Sequence, residues 1–152
     1  MNLVNDIMRL KGGVIWSVSP QATAYEALEL MARQNIGAVV VLDGESLVGI
    51  FSERDYARKV VLRGRSSRET KVSDLMTRKV FYVKPESTAD ECLHLMSSHH
   101  IRHLPVMDGA RLAGIISVGD VVKTILRDRD FQIQQLENYI TGPGYPGDTQ
   151  HG

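Results

Sequence analysis

The sequence predicts an α+β fold built from two copies of one β-α-β-β-α unit, related by a pseudo-twofold axis and packed through their sheets. Three observations carry that expectation. Laid on itself at a shift of 65, the chain matches residues 18–58 to residues 83–123 at 17 of 41 positions, where unrelated sequences would agree at roughly 2 or 3. Within each copy, apolar residues first recur every three or four positions and then switch to β-branched runs around an Asp-Gly turn. Finally, one such unit has too few strands to cover its own helices, so two related units must cover each other. Neither half is expected to be stable alone.

The elements follow in order. "VNDIM" at 4–8 matches "VSDLM" at 72–76 at a shift of 68, so the first copy carries about three extra residues near "LKGG" and each unit begins ahead of its strand. "VIWSV" at 14–18 reads as a short strand. In "SPQATAYEALELMARQNIG" the positions Ala24, Ala27, Leu28, Met31 and Ala32 form one buried helical stripe. "AVVVL" and "SLVGIF" flank "DG", the strongest short hairpin signal. "SERDYARKVVLRG" returns to helical spacing through Tyr56, Val60 and Val61 and stops at Gly64. The second copy repeats the order in "FYV", "ADECLHLMSSHH", "HLPVM", "RLAGII" and "SVGDVVKTILRD".

These assignments place the first repeat at 1–64, a polar linker at 65–71 and the second repeat at 72–126. A helical extension follows at 127–140, and with Ile125, Leu126, Phe131, Ile133, Leu136 and Ile140 as contacts it reads as a dimer arm. The Gly- and Pro-rich tail at 141–152 is expected to be disordered.

Composition narrows the function classes. At 152 residues and 43% hydrophobic, the chain can bury a full core. Eighteen basic and eighteen acidic side chains cancel, which gives no general reason to expect nucleic acid or a charged membrane as partner. Cys92 is the only cysteine, so neither an internal disulfide nor a cysteine-based zinc site can form, and a reducing compartment fits. The first residues lack the apolar core of a secretion signal, and no apolar run reaches about 18 residues. The expectation is a soluble, cytoplasmic protein.

The sequence contains no G-x-S-x-G, no P-loop, no H-E-x-x-H and no acid pair apart from the duplicated turns, so no enzyme activity and no catalytic cofactor are expected. His94, His99, His100 and His103 gather near Cys92, but a separation of five residues between 94 and 99 does not suit two ligands on one helix face. Surface solvation, a phosphate contact by His103 or a pH-sensitive interface outweigh a metal site. Cys92 shares a helix face with Leu95 and Met96, which points to a buried, inert thiol.

The duplicated "GIFSERD" (49–55) and "GIISVGD" (114–120), the "V-x-P-x-x-T" openings and "IRHLPVMDG" resemble tandem cystathionine-β-synthase (CBS) domains, the Bateman module, over residues 1 to about 126. The resemblance implies a stand-alone regulatory protein that binds an adenosine compound such as AMP, ADP, ATP, S-adenosylmethionine or NAD(H) in clefts between its repeats. It further implies a homodimer, an energy-sensing role and an output through a separate partner protein.

The repeated turn has a physical rationale in that setting. Its glycine can let a ligand approach the backbone, its serine starts a helix with free N–H groups, and its aspartate can accept from ribose hydroxyls at about 1.5–3 kcal/mol per charge-assisted bond. The competing reading is that Ser52/Asp55 and Ser117/Asp120 are capping boxes and nothing more.

Carried over residue by residue, the resemblance gives two clefts. The first combines Ser117 and Asp120 with Ile15, Trp16, Ile36 and Gly37, and Arg102 or His103 near phosphate. The second combines Ser52, Arg54 and Asp55 with Val80, Phe81 and Ile101, and Thr77 or Lys79. Arg102 tilts the preference slightly to the first, because its planar fork suits phosphate. Trp16 and Phe81 are candidates for stacking on adenine, although an aromatic side chain on an apolar strand is more often core.

Overall fold

The computed structural model describes residues 2–141. Its elements are α1 (Val4–Lys11), β1 (Ser17–Val18), α2 (Ala24–Gln34), β2 (Ala38–Asp43), β3 (Ser46–Ser52), α3 (Glu53–Tyr56), α4 (Ala89–His99), β4 (His103–Asp108), β5 (Arg111–Ser117) and α5 (Val118–Thr141). β1 lies parallel to β2, and β2 pairs antiparallel with β3; β4 and β5 form the matching hairpin. Both hairpins turn on the glycine of Asp-Gly, Gly44 and Gly109, each at φ +64°, a conformation that any Cβ would strain. Both also carry a register shift at the same place, between Val41 and Leu42 and between Val106 and Met107.

Helix ends explain where α2 and α4 start and stop. The Thr23 hydroxyl accepts from Glu26 N at 3.1 Å and the Thr88 hydroxyl accepts from Glu91 N at 3.1 Å. Asn35 and His100 close the two helices in the left-handed region at φ 53° and 54°.

Three elements differ from their sequence reading. The opening strand is shorter than 14–18, since only Ser17 and Val18 pair with β2. Its counterpart "FYV" is reduced to one bridge, Val83 to Val106. The helix after β3 is α-helical only through Tyr56 and then widens into a π-turn over Ala57–Val61, with Leu62 N donating to Ala57 O at 3.0 Å. Gly64 ends it at φ +65°. The segment after it is not a loose tether: Ser67 O and Thr70 O accept from Tyr25 N and Ala24 N at 2.9 Å, and the Arg68 guanidinium sits 4.0 Å over the Tyr25 ring.

The two hydrophobic cores exchange their opening segments. Val72, Leu75 and Met76 pack with Ala24, Ala27, Met31, Val39, Val41, Phe51 and Val60 of the first repeat. Reciprocally, Val4 and Ile7 of α1 pack with Val83, Ala89, Cys92, Met96, Leu104, Val106, Ile116 and Val121 of the second. Backbone bonds repeat the exchange in pairs. Val4 N donates to Ser87 O as Val72 N donates to Ala22 O, both at 2.8 Å, and Asn5 N donates to Pro85 O at 2.9 Å as Ser73 N donates to Pro20 O at 3.0 Å. Each core is therefore completed by residues from the other copy.

α5 runs on past the second repeat and leaves Leu126, Ile133 and Leu136 exposed. The side chains of Phe131 and Ile140, and the tail from 142 onward, lie outside the described residues. No helix among the described residues is long and apolar enough to cross a membrane.

Candidate functional site

Both duplicated turns fold as reciprocal caps. At the first, Ser52 N donates to Asp55 Oδ2 at 3.0 Å and Asp55 N donates to Ser52 Oγ at 3.2 Å. At the second, Ser117 N donates to Asp120 Oδ2 at 2.8 Å and Asp120 N donates to Ser117 Oγ at 3.1 Å. One carboxylate oxygen of each aspartate is thus committed to its own helix start.

The glycines of the two turns serve packing rather than ligand access, which corrects the sequence reading. A Cβ on Gly49 would lie 2.6 Å from Met76 Sδ and 3.0 Å from Thr77 O, and one on Gly114 would lie 2.7 Å from Met8 Cε. The exchanged segments fill the space that the missing side chains leave.

Beyond the caps, the two copies diverge. Asp55 is buried; its Oδ1 accepts from Thr77 Oγ1 at 3.2 Å and faces Lys59 Nζ at 3.2 Å. Lys59 in turn donates to Leu75 O at 2.8 Å. In the second copy Lys11 Nζ reaches Asp120 Oδ2 at 2.7 Å and Ile115 O at 2.6 Å. Burial acts to raise the Asp120 pKa, but Lys11 and the Ser117 hydrogen bonds outweigh it, and the carboxyl lies below its ordinary value. Neither Lys11 nor Lys59 was singled out in the sequence; the only signal was the lysine position within segments already recognised as repeated.

A cavity of about 760 Å³ opens between the repeats on the Asp55 side. It gathers Ser52, Arg54, Asp55, Thr77, Lys79, Val80, Phe81 and Ile101, the full set assigned to the second cleft, and adds Gly37, Arg102, His103 and Ser117 from the first. Ile15, Trp16, Ile36 and Asp120 are not on its wall. Trp16 packs against the first core, and Ile36 lines a separate recess of about 370 Å³ beside the end of α2. The sequence preference is for the first cleft, whereas this cavity holds the whole set of the second and four residues of the first.

The walls differ in character. Val80, Phe81 and Ile101 make an apolar side, with the His99 ring stacked on Phe81 at 3.8 Å. Arg54, Lys79 and Arg102 supply positive charge on the rim. Arg54 already spans the repeats, donating to the carbonyl of His100 at 2.5 Å.

His103 is pushed down to about 4, chiefly by burial and then by the charges of Lys11 and Arg102, with Asp120 pulling the other way. It is therefore a neutral ring at pH 7. His94 lies in the middle of α4 and His99 and His100 at its end, and among the described residues no group of three or more His, Cys, Asp or Glu is placed to hold a metal ion. Cys92 is buried, and burial together with Glu91 pushes its thiol up to about 11.

Comparison with known proteins gives consistent relatives. The profile of the CBS domain matches residues 4–62 and 72–127. The CBS domain-containing protein CBSX3, mitochondrial, of Arabidopsis thaliana is 38% identical over an alignment covering 93% of this chain and 73% of that protein. A protein with CBS domains from Burkholderia ambifaria MC40-6 has a solved structure that superposes with a TM-score of 0.81 at 48% identity, covering 84% of this chain and 96% of that one. The CBS domain pair of protein MJ0100, solved with 5'-methylthioadenosine and S-adenosyl-L-methionine, shares the fold at a TM-score of 0.74 and 23% identity, with coverage of 84% and 98%.

Proposed function

This chain belongs to the CBS-domain family, and we propose that it is a regulatory module that binds an adenosine-containing ligand (AMP, ADP, ATP or NAD(H)) between its repeats and signals occupancy to a partner protein. The observation that carries this reading is the cavity of about 760 Å³ walled by both repeats, a volume in the range of small-molecule sites, about 300–1,000 Å³. Its apolar side, Val80, Phe81 and Ile101, suits a purine; its basic rim, Arg54, Lys79 and Arg102, suits phosphate. Asp55 Oδ1 is the acceptor for a ribose hydroxyl, which would take the place of the Thr77 hydroxyl. The adenosine compounds solved with the MJ0100 pair support that class of ligand.

Signalling follows from where the ligand would sit. Breaking the Arg54–His100 tie and bridging the repeats with one molecule changes how the two halves hold each other. The exposed Leu126, Ile133 and Leu136 of α5 offer a surface for a second copy or a partner to read that change.

Calorimetric titration with AMP, ADP, ATP, NADH and S-adenosylmethionine tests the reading. At least one should bind, and Asp55→Ala should weaken it tenfold or more. A ligand at one hundred times its Kd should stabilise the fold by about 2.7 kcal/mol. The alternative is a ligand-free interaction scaffold, favoured by both carboxylates already tying down backbone amides; no binding of any of the five compounds would establish it over the sensor.

A further inference from the structure

We propose that Lys11 holds the first cleft shut, so that each chain takes one nucleotide, at Asp55, and not two. The inference rests on the ligand-binding reading above and concerns how many sites that reading allows. Its starting point is the asymmetry between two turns that are otherwise duplicates. Asp55 stands on the cavity wall, whereas Asp120, capped in the same manner, does not.

The Lys11 ammonium shares Asp120 Oδ2 with the Ser117 amide. It bonds the carboxylate at 2.7 Å and the Ile115 carbonyl at 2.6 Å, and the paired side chains are only 29% and 20% exposed. A sugar approaching Asp120 meets a carboxylate already paired through Oδ2 with an ammonium, and moving that mostly buried pair aside to admit the sugar leaves both charges poorly partnered, a costlier exchange than replacing one neutral hydroxyl. At Asp55 the cavity side carries the neutral Thr77 hydroxyl, which a sugar hydroxyl can replace while Lys59 stays on the same oxygen. Lys59 also pairs with Asp55, but it rises from the same helix segment (i,i+4), ties back to Leu75 O and lines none of the cavity.

The cause is local and readable in the chain. α1 continues as an α-helix to Lys11 and is followed by the extra Gly12-Gly13, so Lys11, one turn beyond the Met8 that covers Gly114, reaches Asp120 on the same side. In the other copy only Val72–Asp74 is helical, as a single 3-10 turn that ends at Leu75. Lys79, which matches Lys11 at the shift of 68, stays exposed on the cavity wall with its Nζ 5.7 Å from the Phe81 ring centre. The few residues by which the copies differ in length thus decide which cleft is open.

His103 reports the plug independently of any nucleotide, because Lys11, Asp120 and Arg102 act on it directly and Glu53 faces it across Gly37. Two measurements therefore test the proposal. Native mass spectrometry with AMP should count one nucleotide per wild-type chain, two for Lys11→Met, and one again for Lys11→Met combined with Asp55→Ala. Two nucleotides on the wild type, or one on both wild type and Lys11→Met, overturns it. The second is NMR titration of the His103 ring, whose midpoint should move up from about 4 in Lys11→Met; an unmoved midpoint shows that the ammonium is not in the cleft and also overturns it. Should AMP bind none of the variants while the His103 midpoint moves, the closed cleft stands and the ligand reading is the part that fails.

Discussion

Lowering the pH from about 7 to about 4.5 should remove about 2–3 kcal/mol of stability through His103 alone. The ring sits at the start of β4, and burial, then Lys11 and Arg102, hold its pKa at about 4 against 6.5 for a free histidine. The folded value lies below the unfolded one, so the unfolded chain takes up the proton first. Stability is then complete above about 6.5 and is lost as the pH falls through the window between 6.5 and 4. Each pKa unit is worth about 1.4 kcal/mol, so the full separation contributes about 3 kcal/mol, most of it gone by about pH 4.5. Urea unfolding of the wild type and of His103→Gln at both pH values isolates this one group, because every other titrating residue is common to the two proteins. The wild type should lose about 2–3 kcal/mol more than the variant between the two conditions. Equal losses would refute the buried, cation-flanked environment from which the figure is worked.

The remaining predictions concern the exchanged segments and the lone thiol. Ile7→Ala should cost about 2–5 kcal/mol in denaturant unfolding, because Ile7, 1% exposed, completes the core of the second repeat. Gly49→Ala should cost about 1–3 kcal/mol, since the new methyl meets the Met76 thioether and the fixed Thr77 carbonyl. Gly114→Ala should cost less by the same measurement, because it meets only the movable tip of Met8. Cys92 should resist iodoacetamide in the folded protein near neutral pH and react only on unfolding, which mass spectrometry of the alkylated protein reads directly.

The sequence by itself determined the duplication, the hairpins around their Asp-Gly turns, the amphipathic helix that opens each repeat, and the pairing of serine with aspartate three residues on. Each of these is a local pattern, set by spacing and by residues with a narrow conformational role, and so it survives without knowledge of what lies across the fold. The family resemblance was legible for the same reason, because it rests on those short patterns written twice. What the tertiary structure alone decided is which segment completes which core and which of the two repeated aspartates stands on the cavity wall. The match between "VNDIM" and "VSDLM" marks these pieces as equivalent but cannot say that Val4 and Ile7 cover the second repeat while Val72 and Leu75 cover the first. Nor does local pattern tell a glycine that admits a ligand from one that admits a methionine, as at Gly49 and Gly114. Asp55 and Asp120 carry the same local motif; they differ because Asp55 meets the Thr77 hydroxyl and the lysine of its own helix segment, whereas Asp120 meets an ammonium brought from 109 positions away. Contacts of that kind depend on the path of the backbone between the partners, which a local pattern does not encode.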